Sequence, residues 1–347
     1  MNLPKVILRS SCIVLCLLLL STMAEADGKF TLVVLPDTQN ESQYAPAMFT
    51  SQTTWIVDNK SDIAFVAHVG DVVNTCTSST QYNNADAAMD LLDAGGVPYG
   101  VSPGNHDQAN SGTCGSSSLY PSYFGTSRFS GKSYYGGGLD DYNHYFFFSA
   151  GSMDFIIIFL QYYPVAAQLN WANGLLQLYS NHRGIVVSHG ILNVNNTWVT
   201  LATGVTGETI YDGLKSNPNL FLMLCGHMHS ATDGEALRAE TRAGANPVHI
   251  ILSDFQDFSS GNGWLRILEF DPSVDQINVL TYSPYTGTYR TGSDSQYSLD
   301  YNMLAGDISS FDCDVDGSDL SALISNQSLL DLDLTTFAAH FGRTTCQ

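Results

Sequence analysis

The chain has 347 residues, 44% of them hydrophobic, which is enough for one large domain and a small one. Lysine and arginine number 13 against 33 aspartates and glutamates, a formal net charge of −20. Nucleic-acid backbones and anionic membranes repel such a chain, so neither is an expected partner, and a phosphate-bearing substrate would need local cations that the few basic residues leave to metal ions.

In chain order, residues 1–26 read as a secretory signal peptide: Lys5 and Arg9 form the basic end, Cys12 to Leu20 the apolar run, and Ala24-Glu25-Ala26 the cleavage site. The apolar run is short for a bilayer span, so export to a secreted or periplasmic location is expected. A domain over 27–300 follows. Its short continuous apolar runs have the form of strands buried on both faces: Phe30 to Leu35, Ile63 to Val69, Val97 to Val101, Phe155 to Leu160, Ile185 to Val187, Leu220 to Leu224 and Val248 to Leu252. Helical patterns lie between several of them, at Tyr44 to Val57, Asn84 to Leu92, Ala167 to Leu178 and Gly207 to Leu214. This alternation predicts an α/β domain with its site outside the carboxyl ends of the strands. Tyr134 to Gly138 reads as a turn, and Leu265 to Phe270 with Gln276 to Tyr282 as a closing strand pair.

Six of the seven strand-like runs lead into a polar residue able to hold a metal. Five of these ends are short motifs: Asp37-Thr38-Gln39, Gly70-Asp71, Gly104-Asn105-His106-Asp107, Ser188-His189-Gly190 and Gly226-His227-Met228-His229; the last run, Val248 to Leu252, leads into Asp254. Carboxylates, amides and histidines on strand-end loops are the components of a two-metal hydrolase. In this order the motifs resemble those of the calcineurin-like metallophosphoesterases over approximately residues 28–290. The resemblance implies an α/β (α+β) four-layer αββα sandwich, two central mixed sheets with helices outside, and hydrolysis of phosphate mono- or diesters. It also implies a ligand set. Asp71 would bridge two ions (Mn, Fe or Zn); Asp37, Gln39 and His229 would hold the first, and Asn105, His189 and His227 the second. Most family members carry histidine where this chain has Gln39, whose neutral amide oxygen is a harder and weaker donor than imidazole and leans the first site towards manganese or iron. The resemblance further implies that the ions clamp the phosphate and acidify a water for in-line attack, with His106 as general acid and Asp107 holding its imidazole. Tyr134, Tyr135, Trp171 and Trp198 are candidates for stacking on a nucleobase.

The composition changes after Tyr301. Aspartates alternate through Asp312, Asp314 and Asp316, followed by Gly317 and Asp319, and an Asp-Leu helix start is echoed at Asp333-Leu334. This resembles EF-hand and dockerin repeats, and a small helical module over 305–347 is expected, with Asp312, Asp314, Asp316 and Asp319 as possible calcium ligands and a cohesin-like or surface scaffold as a possible partner. The glutamate that usually closes such a loop is missing. An inert phosphoesterase fold that serves as a calcium-dependent scaffold component is the alternative reading. Five cysteines follow residue 26; Cys76 with Cys114, and Cys313 with Cys346, are the expected disulfides, and Cys225 in its apolar run is an expected buried thiol.

Overall fold

The computed structural model describes residues 28–201, 204–242, 245–304, 307–308, 315–326 and 334–342. The expected signal peptide, Asp312, Asp314, and the Cys313–Cys346 pairing lie outside the described residues. In chain order the elements begin β1 (Phe30–Leu35), α1 (Gln39–Tyr44), α2 (Pro46–Asp58), β2 (Ile63–His68), α3 (Ser79–Gly95), β3 (Tyr99–Val101), α4 (Tyr120–Phe124) and α5 (Thr126–Phe129). They continue with β4 (Tyr135–Gly138), β5 (His144–Ala150), β6 (Met153–Leu160), α6 (Ala166–Leu178), β7 (Arg183–Ser188), α7 (Gly207–Leu214), β8 (Leu220–Cys225), β9 (Glu235–Arg242) and β10 (Ala245–Ser253). The last are β11 (Leu265–Asp271), β12 (Gln276–Ser283), β13 (Thr288–Arg290), β14 (Tyr297–Asp300), α8 (Gly317–Asn326) and α9 (Leu334–His340).

The strands form two sheets. One runs β13-β12-β11-β1-β2-β3 with β14 also on β12; the other runs β4-β5-β6-β7-β8-β10-β9. Within the first, β1, β2 and β3 are parallel, and within the second, β6, β7, β8 and β10 are parallel. The expected β11–β12 pair is antiparallel in register from Leu265 with Tyr282 to Asp271 with Gln276.

Side-chain alternation along the strands builds the layers. Phe155, Ile157 and Phe159 of β6 join the core that also holds Phe65 and Val66 of β2, and Phe65 meets Phe146, Phe148 and Phe159 across the sheets. The intervening Ile156, Ile158 and Leu160 face the other way, onto Leu169, Ala172 and Leu176 of α6 and Ile210 and Leu214 of α7. Strands β7 and β8 repeat the pattern, with Val187 and Leu224 inward and Val186 and Met223 outward. Both faces are therefore covered, which explains why the sequence shows continuous apolar runs and not alternation. Phe49 and Ile56 of α2 and Tyr82, Ala85 and Met89 of α3 cover the first sheet. Helix α3 is bounded by its own chemistry: Ser78 accepts the amide of Gln81 at its start, and Gly96 in the left-handed region ends it.

Two readings of the sequence are corrected. Tyr135–Gly138 is strand β4, not a turn; Tyr135 pairs with Phe146 of β5, and its aromatic neighbours outweigh the three glycines. The nucleobase-stacking candidates are packing groups instead. Tyr134 lies against Phe65 and Phe146, Tyr135 against Phe129 and Phe146, Trp171 against Tyr145, and Trp198 is stacked on Tyr211 beneath the Arg238 guanidinium.

Beyond β14, Leu304, Ile308, Val315, Leu323 and Phe337 form a small separate cluster. Two of the calcium candidates lie here and build a helix start. Asp316 accepts the amide of Ser318 at 2.6 Å, and Asp319 accepts those of Asp316 at 2.9 Å and Ile308 at 2.8 Å. This is a capping arrangement at the N-terminus of α8, and it gives both carboxylates a role without an ion.

The sulfurs of Cys76 and Cys114 are placed to bond, with Cα atoms 6.0 Å apart and a sequence separation of 38, while Cys225 is buried and unpaired, its thiol pushed up to about 12 by burial. The pair ties the loop after β2 to the loop after β3. Replacing both cysteines with serine is expected to lower the unfolding free energy by about 2–4 kcal/mol. Denaturant titration reads this directly; an unchanged midpoint would show that the loops hold without the bond.

Candidate metal centre

Each expected ligand sits just past the carboxyl end of a parallel strand. Asp37 and Gln39 follow β1, Asp71 follows β2, Asn105 follows β3, His189 follows β7, and His227 and His229 follow β8. The two sheets thus offer their ends along one rim, which Ser102 stitches together by donating from its Oγ to the carbonyl of Leu160 at 2.7 Å.

Asp71 is the hub. One of its oxygens, Oδ1, accepts the amide of His106 at 2.7 Å, and Oδ2 lies 3.0 Å from Nε2 of His189. Its backbone is left-handed at φ 52°, and so is that of His227 at φ 72°. Strained backbone of this kind persists where the surroundings over-determine it. The surroundings here are close. A Cβ on Gly104 would fall 2.0 Å from Asp71 Oδ1, and one on Gly70, itself at φ 106°, would fall 2.8 Å from Nδ1 of His189. Only glycine allows these loops to approach.

The ligands are aimed by their other atoms. His189 Nδ1 meets the carbonyl of Val69 at 2.9 Å, which leaves Nε2 as the bare nitrogen. Tyr162 OH lies 2.9 Å from Nε2 of His227, which leaves Nδ1 for a metal. The Asn105 amide donates from Nδ2 to Thr113 at 2.9 Å, leaving Oδ1. His229 has Nδ1 2.8 Å from Oδ2 of Asp257. Asp71, His189 and His227 offer ligand atoms all within 4.8 Å of one another.

The chemistry of the leftover atoms is the test of whether metal fits. Asp37 Oδ2, Gln39 Oε1 and Asn105 Oδ1 are buried and lack a hydrogen-bond partner, and His189 Nε2 faces only the Asp71 carboxylate. Buried polar atoms are seldom left so, and each costs about 1–3 kcal/mol, more when charged. These atoms belong to four of the seven residues of the expected ligand set, so the residues fit a metal pair.

Asp107 departs from its expected role. Its carboxylate accepts the amides of Val72 and Gly104, each at 2.9 Å, and of Val73 at 3.3 Å, and so pins the two motif loops together. His106 takes its orientation from the carbonyl of Asn74, 2.7 Å from Nδ1. The side chain of residue 107 points back into the loop because three amides converge there. His68 also locks loops: it accepts the amide of Gly70 at 3.1 Å on Nδ1 and meets Thr38 Oγ1 at 2.9 Å through Nε2.

Several residues at the site carry no motif. Tyr162 and Tyr163 stand beside His227, with Val199 and Leu201 behind them. Asp254 and Gln256, at the end of β10, reach the Asp37 loop, where Gln256 Oε1 accepts from Gln39 Nε2 and its backbone carbonyl accepts from Asn40 at 3.1 Å. The signal available for Asp254 was its place: it ends an apolar run as the motif residues do.

Burial governs the electrostatics. It pushes Asp37 well above the usual carboxylate range, reinforced by the charges of Asp254 and Asp71. It raises Asp107 to about 7, with Asp71 adding, and Asp254 to about 6. Burial would also raise Asp71, but the His189 imidazole beside it holds it low. His189 is held up by Asp71 against the burial that would lower it, whereas burial and the nearby His189 hold His227 down to about 3.

These directions set the pH response of the metal-free protein. Above about pH 6.5, histidines held low by burial are neutral both folded and unfolded and contribute no slope. Asp37, Asp107 and His189 still bind more protons folded than unfolded, so stability falls as pH rises through their folded values. Below that, His68 and His227 pull in the opposite direction, both held down to about 3. The melting temperature of the metal-stripped protein is expected to drop from about pH 6.5 to about pH 8, and divalent cations are expected to abolish the drop by replacing those protons. A flat profile in metal-free buffer would contradict this arrangement of charges.

Comparison with known proteins agrees with this geometry. The family model described as calcineurin-like phosphoesterase matches residues 30–241. The chain is similar to YvnB, an uncharacterized protein of Bacillus subtilis, with 33% identity over 314 residues; this takes in 84% of the chain but spans only 23% of that protein's length. Among solved structures it is similar in fold to a dimetal phosphatase from Danio rerio, at a TM-score of 0.50 and 14% identity, covering 79% of this chain and 99% of that one. With a family model matched over most of its length and a rim of strand-end ligands in the family's order, the chain belongs to the calcineurin-like phosphoesterases.

Proposed function

We propose that this protein is an exported metal-dependent phosphoesterase that hydrolyses phosphate mono- or diesters, with His106 as the general acid. The observation that carries the reading is the set of bare donor atoms on Asp37, Gln39 and Asn105 gathered, with His189, around Asp71. Bound there, two cations would neutralise phosphoryl charge and supply a nucleophile at neutral pH. The remaining work falls to side chains of the chain itself. Asp71 sets the spacing between the two halves of the site. Asn105 and His189 are fixed by Thr113 and Val69 before any ion arrives, which lowers the cost of ordering them.

His106 is the residue suited to move a proton. It is half-buried at the mouth of the site, its amide is tied to Asp71, and its Nδ1 is engaged by the carbonyl of Asn74. A neutral ring held in this way carries its proton on Nδ1, and protonation adds the second on Nε2, the nitrogen left free to serve a departing alkoxide. The orienting carbonyl fixes the ring without placing a charge beside the phosphate.

The His106→Ala variant is expected to keep its metals and to lose about 10²–10⁴-fold in turnover of an alkyl phosphate, the usual range for a general acid, with far less loss on an ester whose leaving group needs no proton. Equal losses on both substrates would remove His106 from that role. Asp71→Ala is expected to release both ions, since the shared carboxylate is the only link between them in this ligand set; elemental analysis of the purified variant against wild type decides it, and full metal content would sink the two-metal reading.

A further inference from the structure

The loop after β10 brings a carboxylate to the site that none of the five motifs contains. Asp254 follows Ser253 at the carboxyl end of β10, which is parallel to β8 and adjacent to it. The side chain is fully buried. Its Oδ1 accepts the amide of Gln256 at 3.1 Å, and its Oδ2 has no hydrogen-bond partner. The charges that act most strongly on this carboxylate include His229, His189 and Asp71, and it is in turn the strongest charge acting on Asp37. No lysine or arginine is among the groups that dominate Asp37, Asp71 or Asp254. A buried carboxylate oxygen without a hydrogen-bond donor is a costly arrangement in a protein interior.

The backbone is arranged to hold it there. Asp254 donates its amide to the carbonyl of Gly234 at 2.8 Å, and a Cβ on Gly234 would fall 1.4 Å from the carbonyl oxygen of Asp254, so only glycine permits the approach. Two residues on, Gln256 takes the amide N–H of Gln39 and leaves Gln39 Oε1 bare and buried. The same turn therefore presents one oxygen of its own and aims another from the first motif.

We propose that Asp254 is a further ligand of the first metal ion, its bare Oδ2 adding an anionic donor on the side where Gln39 offers only a neutral amide. This rests on the two-metal reading above. The first ion then faces Asp37, Asp71, Asp254, Gln39 and His229, four oxygen-donor side chains and one imidazole, and the second faces Asp71, Asn105, His189 and His227. An oxygen-rich site of this charge selects hard cations such as manganese over zinc.

The test is manganese binding to the metal-stripped full-length chain, followed by titration calorimetry and melting temperature. Wild type is expected to take up two ions. In Asp254→Asn the first-ion affinity is expected to fall by more than about 100-fold, beyond the 10–100-fold that loss of a group merely orienting a ligand causes, while the second ion binds as before. The metal-free variant is expected to melt no lower than wild type, because an uncompensated buried charge has been removed. Adding Gln39→His to Asp254→Asn is expected to recover at least about 10-fold, since imidazole is a stronger donor than the amide. Two ions bound at wild-type affinity in Asp254→Asn would overturn the proposal. So would a loss of both ions together with a lower metal-free melting temperature, which would make Asp254 a residue of the fold. A wild-type chain that takes up fewer than two ions would instead defeat the two-metal reading itself, and the proposal with it.

Discussion

The constraint on which this site depends is the gathering of buried carboxylates with no lysine or arginine among the groups that act most strongly on them. Asp37, Asp71, Asp107 and Asp254 are all buried; the other three act on Asp37, and Asp71 acts on both Asp107 and Asp254. Two unit charges about 4 Å apart repel by about 4 kcal/mol even at an effective dielectric of 20. Asp107 has both oxygens taken by three backbone amides, and burial still holds it up at about 7. The others keep an oxygen bare or lean on His189. Such a cluster is stable as a cation site and poor as anything else, which is why the metal reading follows from the polar groups before any likeness to other proteins is considered.

The fold supplies the attraction that holds these charges in place. Two sheets packed face to face through Phe65, Phe155 and Phe159 bury apolar surface on both faces of each inner strand, worth roughly 25 cal/mol per Å². The parallel strands end along one rim, and the loops that leave it have to turn sharply. The left-handed residues Asp71 and His227 sit at those turns. Strain at the ligands is therefore sustained by packing a strand's length away. The loop contacts made by His68, Asp107 and Thr38 transmit it, since they join the first three motif loops to one another before any ligand atom is involved.

Much of this was legible in the sequence because two-sided burial writes itself as unbroken apolar runs. The run Phe30 to Leu35 coincides with β1, and Gly207 to Leu214 with α7, whose start is capped by Thr206. The strand-end motifs carried their ligands into place. What was hidden was hidden for physical reasons. Strand β4 is short, rich in glycine and lies at a sheet edge, so its pattern resembles a turn until Phe146 is placed opposite it. Asp107 was read as the partner of His106 because the two are adjacent in the chain, but adjacent side chains in a tight loop diverge, and the amides of Val72, Val73 and Gly104 captured it. Asp254 and Tyr162 act on residues more than twenty positions away, and single-chain spacing carries no trace of such contacts.

The two halves of the centre are built differently, and this bears on how it would work. On the side of the second ion, Asp71, His189 and His227 are already drawn together, and Val69, Thr113 and Tyr162 hold its ligands from behind. On the side of the first, His229 is exposed and held by Asp257, itself exposed, while Gln39 and Asp254 come from loops joined through Gln256. A preformed half loses little freedom when an ion binds, whereas an open half has to be ordered at that moment and binds more weakly for the same donors. An additional carboxylate on the open half offsets that weakness with charge. The same carboxylate lowers the net positive charge that a bound phosphate would meet there. The half that holds Asn105, next to His106, is left as the stronger electrostatic clamp, which suits the proposed role of His106 at the departing oxygen.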